Sequence, residues 1–422
     1  MRRSPLAILV LIVFVDLLGF GLVIPVLPFY ATHLGASPAV VGVISSAYAL
    51  AQLLCSRFWG GLSDRIGRRR VLLVTLAGSV VSMALTGAAS SLAALFLARA
   101  FAGAMAANIS VAQAYVADIT TTHDRARGLG AIGAGIGLGF VVGPALGAAA
   151  ASLAGPRAPF FLAAAIAASN LIWALVALPE TPRRAAPTRA SALPSGWRAD
   201  LRDPVLGPLI AVIFLLYLAF SAMESMFALW THARFGYGAG ANGALFAFVG
   251  IVVVIVQGGL VRRAAPRWGE RTLLRGGLAF TATGLLLLPL AGTSSAVLVG
   301  LGLLSVGQGV AAPVSSALAS LRGHADRQGA VLGVTQTAAA AARFLGPLWG
   351  GLAFDHIAPG APFVVGGGVT LGAWVLAWRL PASRVAHASQ EEAPESVAPF
   401  RGEWGGRRDA PPSVFIGDGL GA

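Results

Sequence analysis

Apolar residues run along this chain in long blocks, parted by short polar or arginine-rich breaks. A helix needs roughly 20 mostly apolar residues to cross the ~30 Å hydrocarbon core of a bilayer. Twelve blocks meet that length, near residues 6–28, 39–60, 71–90, 92–118, 128–152, 159–178, 204–231, 239–261, 273–291, 295–321, 329–354 and 360–380. They are rich in Leu, Val, Ala and Gly and lack the alternation of barrel strands, so the pattern predicts helices. Glycine at this density weakens a helix in water but is common in membrane helices. The first block follows Arg2 and Arg3 as a secretory signal would. Asp16 interrupts it, however, the block is too long, and no small-residue cleavage site follows, so it is read as a retained span.

Composition removes the soluble alternative. Of 422 residues 56% are hydrophobic and only 11% charged, against about 25% charged in an ordinary soluble domain. Mean hydropathy is +0.77. The formal charge of +13 would suggest a nucleic-acid partner if it were spread over one face. It is not. All the basic residues are arginines, and they cluster by loop: Arg2 and Arg3; Arg65, Arg68, Arg69 and Arg70; Arg125 and Arg127; Arg183, Arg184, Arg189, Arg198 and Arg202; Arg262, Arg263, Arg267 and Arg271; Arg322 and Arg327. The alternate loops carry only Arg157 and Arg234. This positive-inside pattern predicts a multi-pass protein of a cell inner (plasma) membrane with both termini cytoplasmic. Membrane lipid, not nucleic acid, is the implied partner. Cys55 is the lone cysteine, so no internal disulfide forms, and the scattered histidines give no metal pair at helical spacing.

Residues 179–203 break the apolar pattern with Pro179, Pro182, Pro187, Pro194 and five arginines. The expected organisation is an N-terminal six-helix bundle over 1–180, a cytoplasmic linker over 181–203, a C-terminal six-helix bundle over 204–381, and a polar tail over 382–422 without a core. The halves echo one another about 200 residues apart. Gly60-Gly61-Leu62 corresponds to Gly258-Gly259-Leu260, Asp124-Arg125 to Asp326-Arg327, and Gly143-Pro144 with Gly147 to Gly346-Pro347 with Gly350. Paired halves of this kind typify secondary transporters, with the substrate between them near the midplane.

The run Gly60-Gly61-Leu62-Ser63-Asp64-Arg65-Ile66-Gly67-Arg68-Arg69-Arg70 lies between spans 2 and 3. Its glycines permit a tight turn, Asp64 can meet the positive end of a helix, and Arg68 can pair with a carboxylate. A stop-transfer loop would account for the arginines but not for the aspartate or the glycine spacing. This run resembles the signature of the major facilitator superfamily. Arg99 with Gly103 resembles the family's second motif, and Gly139, Gly143, Pro144 and Gly147 its antiporter motif. With Asp16-Leu17-Leu18-Gly19-Phe20-Gly21 and Pro25-Val26-Leu27-Pro28, they resemble the twelve-span drug:proton antiporters. The stretch 114–120 before Asp124 is especially similar to tetracycline efflux proteins. The resemblance implies an all-α integral membrane fold of two pseudo-symmetric six-helix bundles and alternating access. It also implies a cytoplasmic gate of Gly61, Asp64, Gly67, Arg68 and Asp118, in which Asp64, Arg68 and Asp118 latch the outward-open state. One departure stands out: tetracycline pumps carry an acid in span 9, and residues 273–291 contain none.

Ionisable groups at bilayer depth cost at least ~2.5–3.5 kcal/mol, so each is a functional candidate. Asp16, Arg99, Glu224 and Arg343 lie inside spans. Arginine keeps its proton, so a proton carrier here must be a carboxylate. Cost also predicts partners: Arg99 for Asp16 and Arg343 for Glu224. Gln52, Asn108, Gln113, Asn170, Gln257, Gln308 and Gln336, with the aromatic walls of Trp173, Phe220 and Trp230, are candidates for an amphiphilic substrate pocket, although such residues also serve as glue between helices. The reading is a monomeric exporter of small amphiphilic molecules that needs no cofactor and is driven by the proton gradient. Its rivals are an uptake symporter or facilitator for a metabolite, and a membrane sensor that transports nothing, which would not need buried charges. The lack of a phosphate-binding Gly-x-x-x-x-Gly-Lys loop disfavours ATP drive, and the lack of a recognisable nucleophile or metal set disfavours an enzyme.

Overall fold

The structure is a computed structural model that describes residues 5–120, 124–180, 197–322 and 328–380. The tail over 382–422, most of the linker and the Asp326-Arg327 pair lie outside the described residues. The elements are α1 (Pro5–Val23), α2 (Leu27–His33), α3 (Pro38–Ile66), α4 (Arg68–Ala88), α5 (Leu92–Met105), α6 (Asn108–Ile119), α7 (Arg125–Ala154) and α8 (Ala158–Ala177). A short α9 (Trp197–Arg202) follows, then α10 (Leu206–Phe235), α11 (Ala239–Ile255), α12 (Arg262–Leu287), α13 (Ser294–Arg322), α14 (Gln328–His356) and α15 (Ala361–Trp378). All twelve expected spans fall on helices, and no strand occurs among the described residues. Residues Ala239–Leu290 form 52 nearly continuous helical residues. As one rod they would measure roughly 78 Å, more than twice a bilayer. The chain breaks at Gly269, whose φ of 73° leaves the helical region, and so divides into two passes.

Local chemistry sets the interruptions. Pro25 and Pro28 separate α1 from α2, because proline offers no N–H to continue the ladder. The α5–α6 span breaks at Ala106 and Ala107. In hydrocarbon the carbonyls released by such a break need donors, and α3 supplies them. Trp59 Nε1 donates to the Ala104 carbonyl at 2.6 Å and the Gln52 amide to the Ala106 carbonyl at 3.2 Å. At the start of α10, Asp203 accepts the N–H groups of Val205 and Leu206, each at 2.8 Å. Past α11 the backbone widens into a π-helix over Val256–Val261, at the Gly258-Gly259 pair.

Glycine sets the close packing. A Cβ on Gly139 would strike Leu17 and Leu18 of α1, and one on Gly143 would lie 2.7 Å from the Leu18 carbonyl. In the second half a Cβ on Gly346 would strike Ser221 and Leu218 of α10, and one on Gly350 would meet Ala222. The expected echo at Gly143-Pro144 and Gly346-Pro347 is thus an echo of contacts: α7 on α1, α14 on α10. A further echo joins the rim. Arg69 donates to the Leu178 and Leu175 carbonyls at the end of α8, at 2.6 and 2.7 Å. Arg275 donates to the Ala377 and Trp378 carbonyls at the end of α15, at 3.3 and 3.4 Å, with its guanidinium 3.9 Å from the Trp378 ring centroid.

The seams between the two sets of helices close toward the arginine-poor end. There Gly42 of α3 abuts the Pro347 carbonyl of α14, Ser46 donates to the Phe344 carbonyl at 2.7 Å, and Gly243 of α11 abuts Ala148 and Pro144 of α7. A buried apolar cluster also crosses: Leu22, Tyr30 and Val41 pack with Met226 and Leu229 of α10. Toward the arginine-rich end the contacts lapse. A Cβ on Gly130 or Gly133 of α7, or on Gly258, would meet nothing within 4 Å.

Trp59→Phe tests the satisfaction argument, because it keeps the ring and removes the donor to Ala104. Leaving that carbonyl bare is expected to cost about 1 kcal/mol. The melting temperature in detergent should fall by a few degrees, whereas an unchanged melting temperature would show that the α5 break needs no partner.

Candidate functional site

Asp16 stands on α1, where the Gly139–Gly143 face of α7 presses against its neighbours Leu17 and Leu18. Its Oδ1 accepts the Asn108 amide at 2.8 Å, and the same amide lies 3.3 Å from Ser79 Oγ. Asn108 opens α6 just past the helix break, so the break aims this amide at the carboxylate. Asp16, Tyr48, Ser79 and Asn108 line a cavity of about 40 Å³ together with apolar Phe20 and Met83. That space holds a water molecule or two. It is too small for a drug-sized molecule.

The expected Asp16–Arg99 pair is not formed. The acids that Arg68 pairs with are Asp64 and Asp118, and no ion pair within 4 Å joins Asp16 to Arg99. Arg99 is 4% exposed, and its guanidinium lies 4.6 Å from the centroid of the Tyr48 ring. Its Nε and Nη1 have no hydrogen-bond partner. A desolvated cation on an aromatic face gains roughly 2 kcal/mol. That competes with the pull of an acid which already has a hydrogen bond. The second half repeats the motif: Arg343 lies 5.4 Å from the centroid of the Tyr217 ring. Arg343 and Glu224, expected as partners, form no ion pair within 4 Å. Tyr48 faces the Asp16 cavity and carries Arg99 on its ring, so it joins the acid's surroundings to those of the arginine. Sequence reasoning missed both tyrosines. The available signal was a Tyr inside an apolar span, which must place its hydroxyl somewhere.

Of the residues expected to form the cytoplasmic gate, the charged ones come together around Arg68. Arg68 Nη2 lies 2.6 Å from Asp64, its Nε donates to Asp118 at 2.9 Å and its Nη1 to Ser63 Oγ at 2.5 Å. Gly67, at φ 104°, makes the one-residue turn that brings α4 back beside α3. A Cβ on Gly61 would meet nothing within 4 Å, so Gly61 packs against no neighbour in this state. All of these contacts stay within the first half.

The pocket candidates scatter. Asn108 belongs to the Asp16 cluster, Gln52 serves the helix break, and Asn170 donates to the Ile12 carbonyl of α1 at 2.9 Å. Gln308 is buried with its Oε1 unpartnered. Trp173 and Phe220 are half-buried against apolar clusters, and Trp230 is buried. Gln113, Gln257 and Gln336 are exposed.

A helical membrane bundle of two packed halves, with ionisable groups inside its spans, fits a polytopic membrane transporter. The chain belongs to the major facilitator superfamily, whose family model matches residues 9–347 and 263–416. It is 32% identical over 339 residues to the tetracycline resistance protein, class C, of Escherichia coli, covering 79% of this chain and 85% of that protein. It is also 32% identical over 390 residues to multidrug resistance protein 1 of Bacillus subtilis (strain 168), covering 90% of this chain and 98% of that one. The crystal structure of the human organic anion transporter MFSD10 superposes with a TM-score of 0.69 at 28% identity, covering 89% of this chain and 99% of that one.

The competition for Arg99 is testable at Tyr48. Tyr48→Phe keeps the ring face and should hold transport within about twofold of wild type, whereas Tyr48→Leu removes it and should lower transport about tenfold or more. Equal loss in both variants would assign the role to the hydroxyl instead.

Proposed function

We propose that this chain is a proton-coupled exporter of small amphiphilic molecules. It works by alternating access in a cell inner (plasma) membrane, as a monomer without a cofactor. The observation that carries the reading is the state of Asp16: a carboxylate at mid-span, in a water-sized cavity, held by a neutral amide while the nearest buried arginine rests on a tyrosine. A carboxylate so placed can take a proton, and the return of Arg99 would favour its release. Glu224 with Arg343 is the corresponding pair in the second half. The names of the relatives, tetracycline resistance and multidrug resistance, support drug-like cargo. The missing acid in span 9 argues that tetracycline itself is not the preferred one.

The loop charges support a cytoplasmic location for the arginine-rich end. On that orientation the seams are shut outward and open inward, the state that would receive cargo from the cell. The bundles over 1–180 and 204–381 rock about the closed end. The Asp64–Arg68–Asp118 cluster then waits at the open rim for its part in the outward-open state. Exposed glutamines on spanning helices would be costly against lipid. We therefore assign Gln113, Gln257 and Gln336 to the aqueous opening, where they are candidates to contact cargo. One pH unit supplies ~1.4 kcal/mol per proton, enough for about a tenfold gradient.

Expression in a drug-sensitive bacterium should lower accumulation of at least one lipophilic antibiotic or dye, and a protonophore should erase the effect. Asp16→Asn should abolish gradient-driven transport at normal expression, and Gly143→Leu should weaken it by forcing α7 off α1. Accumulation that rises with expression under an inward proton gradient would establish uptake by symport in place of export. Normal uphill transport by Asp16→Asn would remove Asp16 as the carrier.

A further inference from the structure

At the arginine-poor end, α14 of the second half finishes beside the start of α3 in the first. Asp355 Oδ2 accepts the backbone N–H of Ala39 at 2.8 Å, across 316 positions of sequence. Ala39 lies in the first turn of α3, where N–H groups lack helical partners and the helix dipole is positive. Pro38 has no N–H to offer, and Val40 is taken by Ser37 Oγ at 3.4 Å. The first-turn donor left at Ala39 is therefore met from the opposite half of the protein.

The seam beneath makes that reach possible. Gly42 abuts the Pro347 carbonyl, and a Cβ on Gly351 would lie 2.6 Å from the Pro38 carbonyl oxygen. The two backbones touch, so a short aspartate side chain suffices. The sequence carries a matching echo. α3 ends in Gly60-Gly61-Leu62-Ser63-Asp64, and α14 ends in Gly350-Gly351-Leu352-Ala353-Phe354-Asp355. A Gly-Gly-Leu run thus precedes an aspartate near the ends of both helices, with one intervening residue in α3 and two in α14, so the two aspartates point differently. Asp64 is occupied by Arg68 on its own half, whereas Asp355 reaches the other.

We infer that Asp355 is the latch of the arginine-poor gate: it holds that gate shut by capping α3 from the second half and lets go when the gate opens. The inference rests on the alternating-access reading above but not on export, cargo or proton coupling. Asp355 is exposed to solvent, which suits a contact that must break in every cycle.

The test uses the full chain in nanodiscs, with Cys55→Ser and spin labels at His33→Cys and Ile357→Cys, two exposed sites flanking the gate. Without cargo or gradient, the parent should give one short distance. Asp355→Ala should add a longer one and raise the open-to-closed ratio about two- to fivefold, the usual worth of a carboxylate at a helix N-terminus. Asp355→Asn, which keeps the shape and one acceptor, should fall between the two. Asp64→Ala, which does not touch this contact, should not raise the ratio. Distances unchanged in both Asp355 variants would overturn the latch, as would a lowered melting temperature with no shift in distance, which marks a merely structural cap. Failure of the export assay would leave these distances as they are, so the two readings fail separately.

Discussion

Close approach of helix backbones is the constraint on which this structure depends. Lipid tails are as apolar as leucine, so helices gain little by hiding leucine from them and must gain by contact. Glycine is what permits the contact. Gly139, Gly143 and Gly147 bring α7 onto the backbone of α1 at Leu17, Leu18 and Leu22, and Gly346 and Gly350 bring α14 onto α10. The opposite faces of the same two helices form the seams between halves, where Pro144 of α7 meets Gly243 and Pro347 of α14 meets Gly42. Each glycine–proline helix therefore carries a contact within its own half on one side and a contact with the other half on the other. That arrangement lets two halves move without either coming apart.

The buried charges depend on this frame. Gly143 presses against Leu18 and Gly21, which fixes the part of α1 that holds Asp16. Gly103 fits against the backbone of Tyr48, which fixes the ring that Arg99 lies over. Acid, tyrosine and arginine thus sit on three helices whose spacing is set by missing side chains. A methyl group at either glycine would move a charge, not merely loosen a core. In a medium where misplaced charge costs several kcal/mol, this makes helix packing and charge placement one problem.

Much of this was legible in the sequence. Span positions were, because hydrocarbon thickness sets a length that composition must match. So were the halves, through Gly143-Pro144 and Gly346-Pro347, and the clustering of Arg68 with Asp64 and Asp118. The partner of Arg99 was not. Cost arguments say that a buried cation needs company, and they name carboxylates first, but the face of Tyr48 also serves and gives no pairing signal in the sequence. The break at Ala106 lay inside an unbroken apolar run, where hydropathy is blind, whereas the one after Val23 was marked only by Pro25 and Pro28. Gln52 was read as a pocket residue because a glutamine in a span draws attention, and it proves to be a donor to the carbonyl left by one of those breaks.

The two ends of the molecule differ in how they can let go. The arginine-poor end is held by backbone contact, an apolar cluster through Tyr30 and Met226, and the charged contact of Asp355. Apolar contact between helices is cheap to exchange for lipid or for a different packing, so it does not by itself choose between open and shut. A carboxylate on a helix N-terminus has a definite partner and a definite distance, and it is either made or broken. The arginine-rich end holds its aspartates in reserve on Arg68, within one half. If each end needs such a contact in order to be shut, the chain cannot hold both with equal strength, or it would stop. The exposed position of Asp355 and the partly exposed cluster at Arg68 keep both contacts weak, at about 1 kcal/mol or less each, so neither one fixes its end of the bundle by itself.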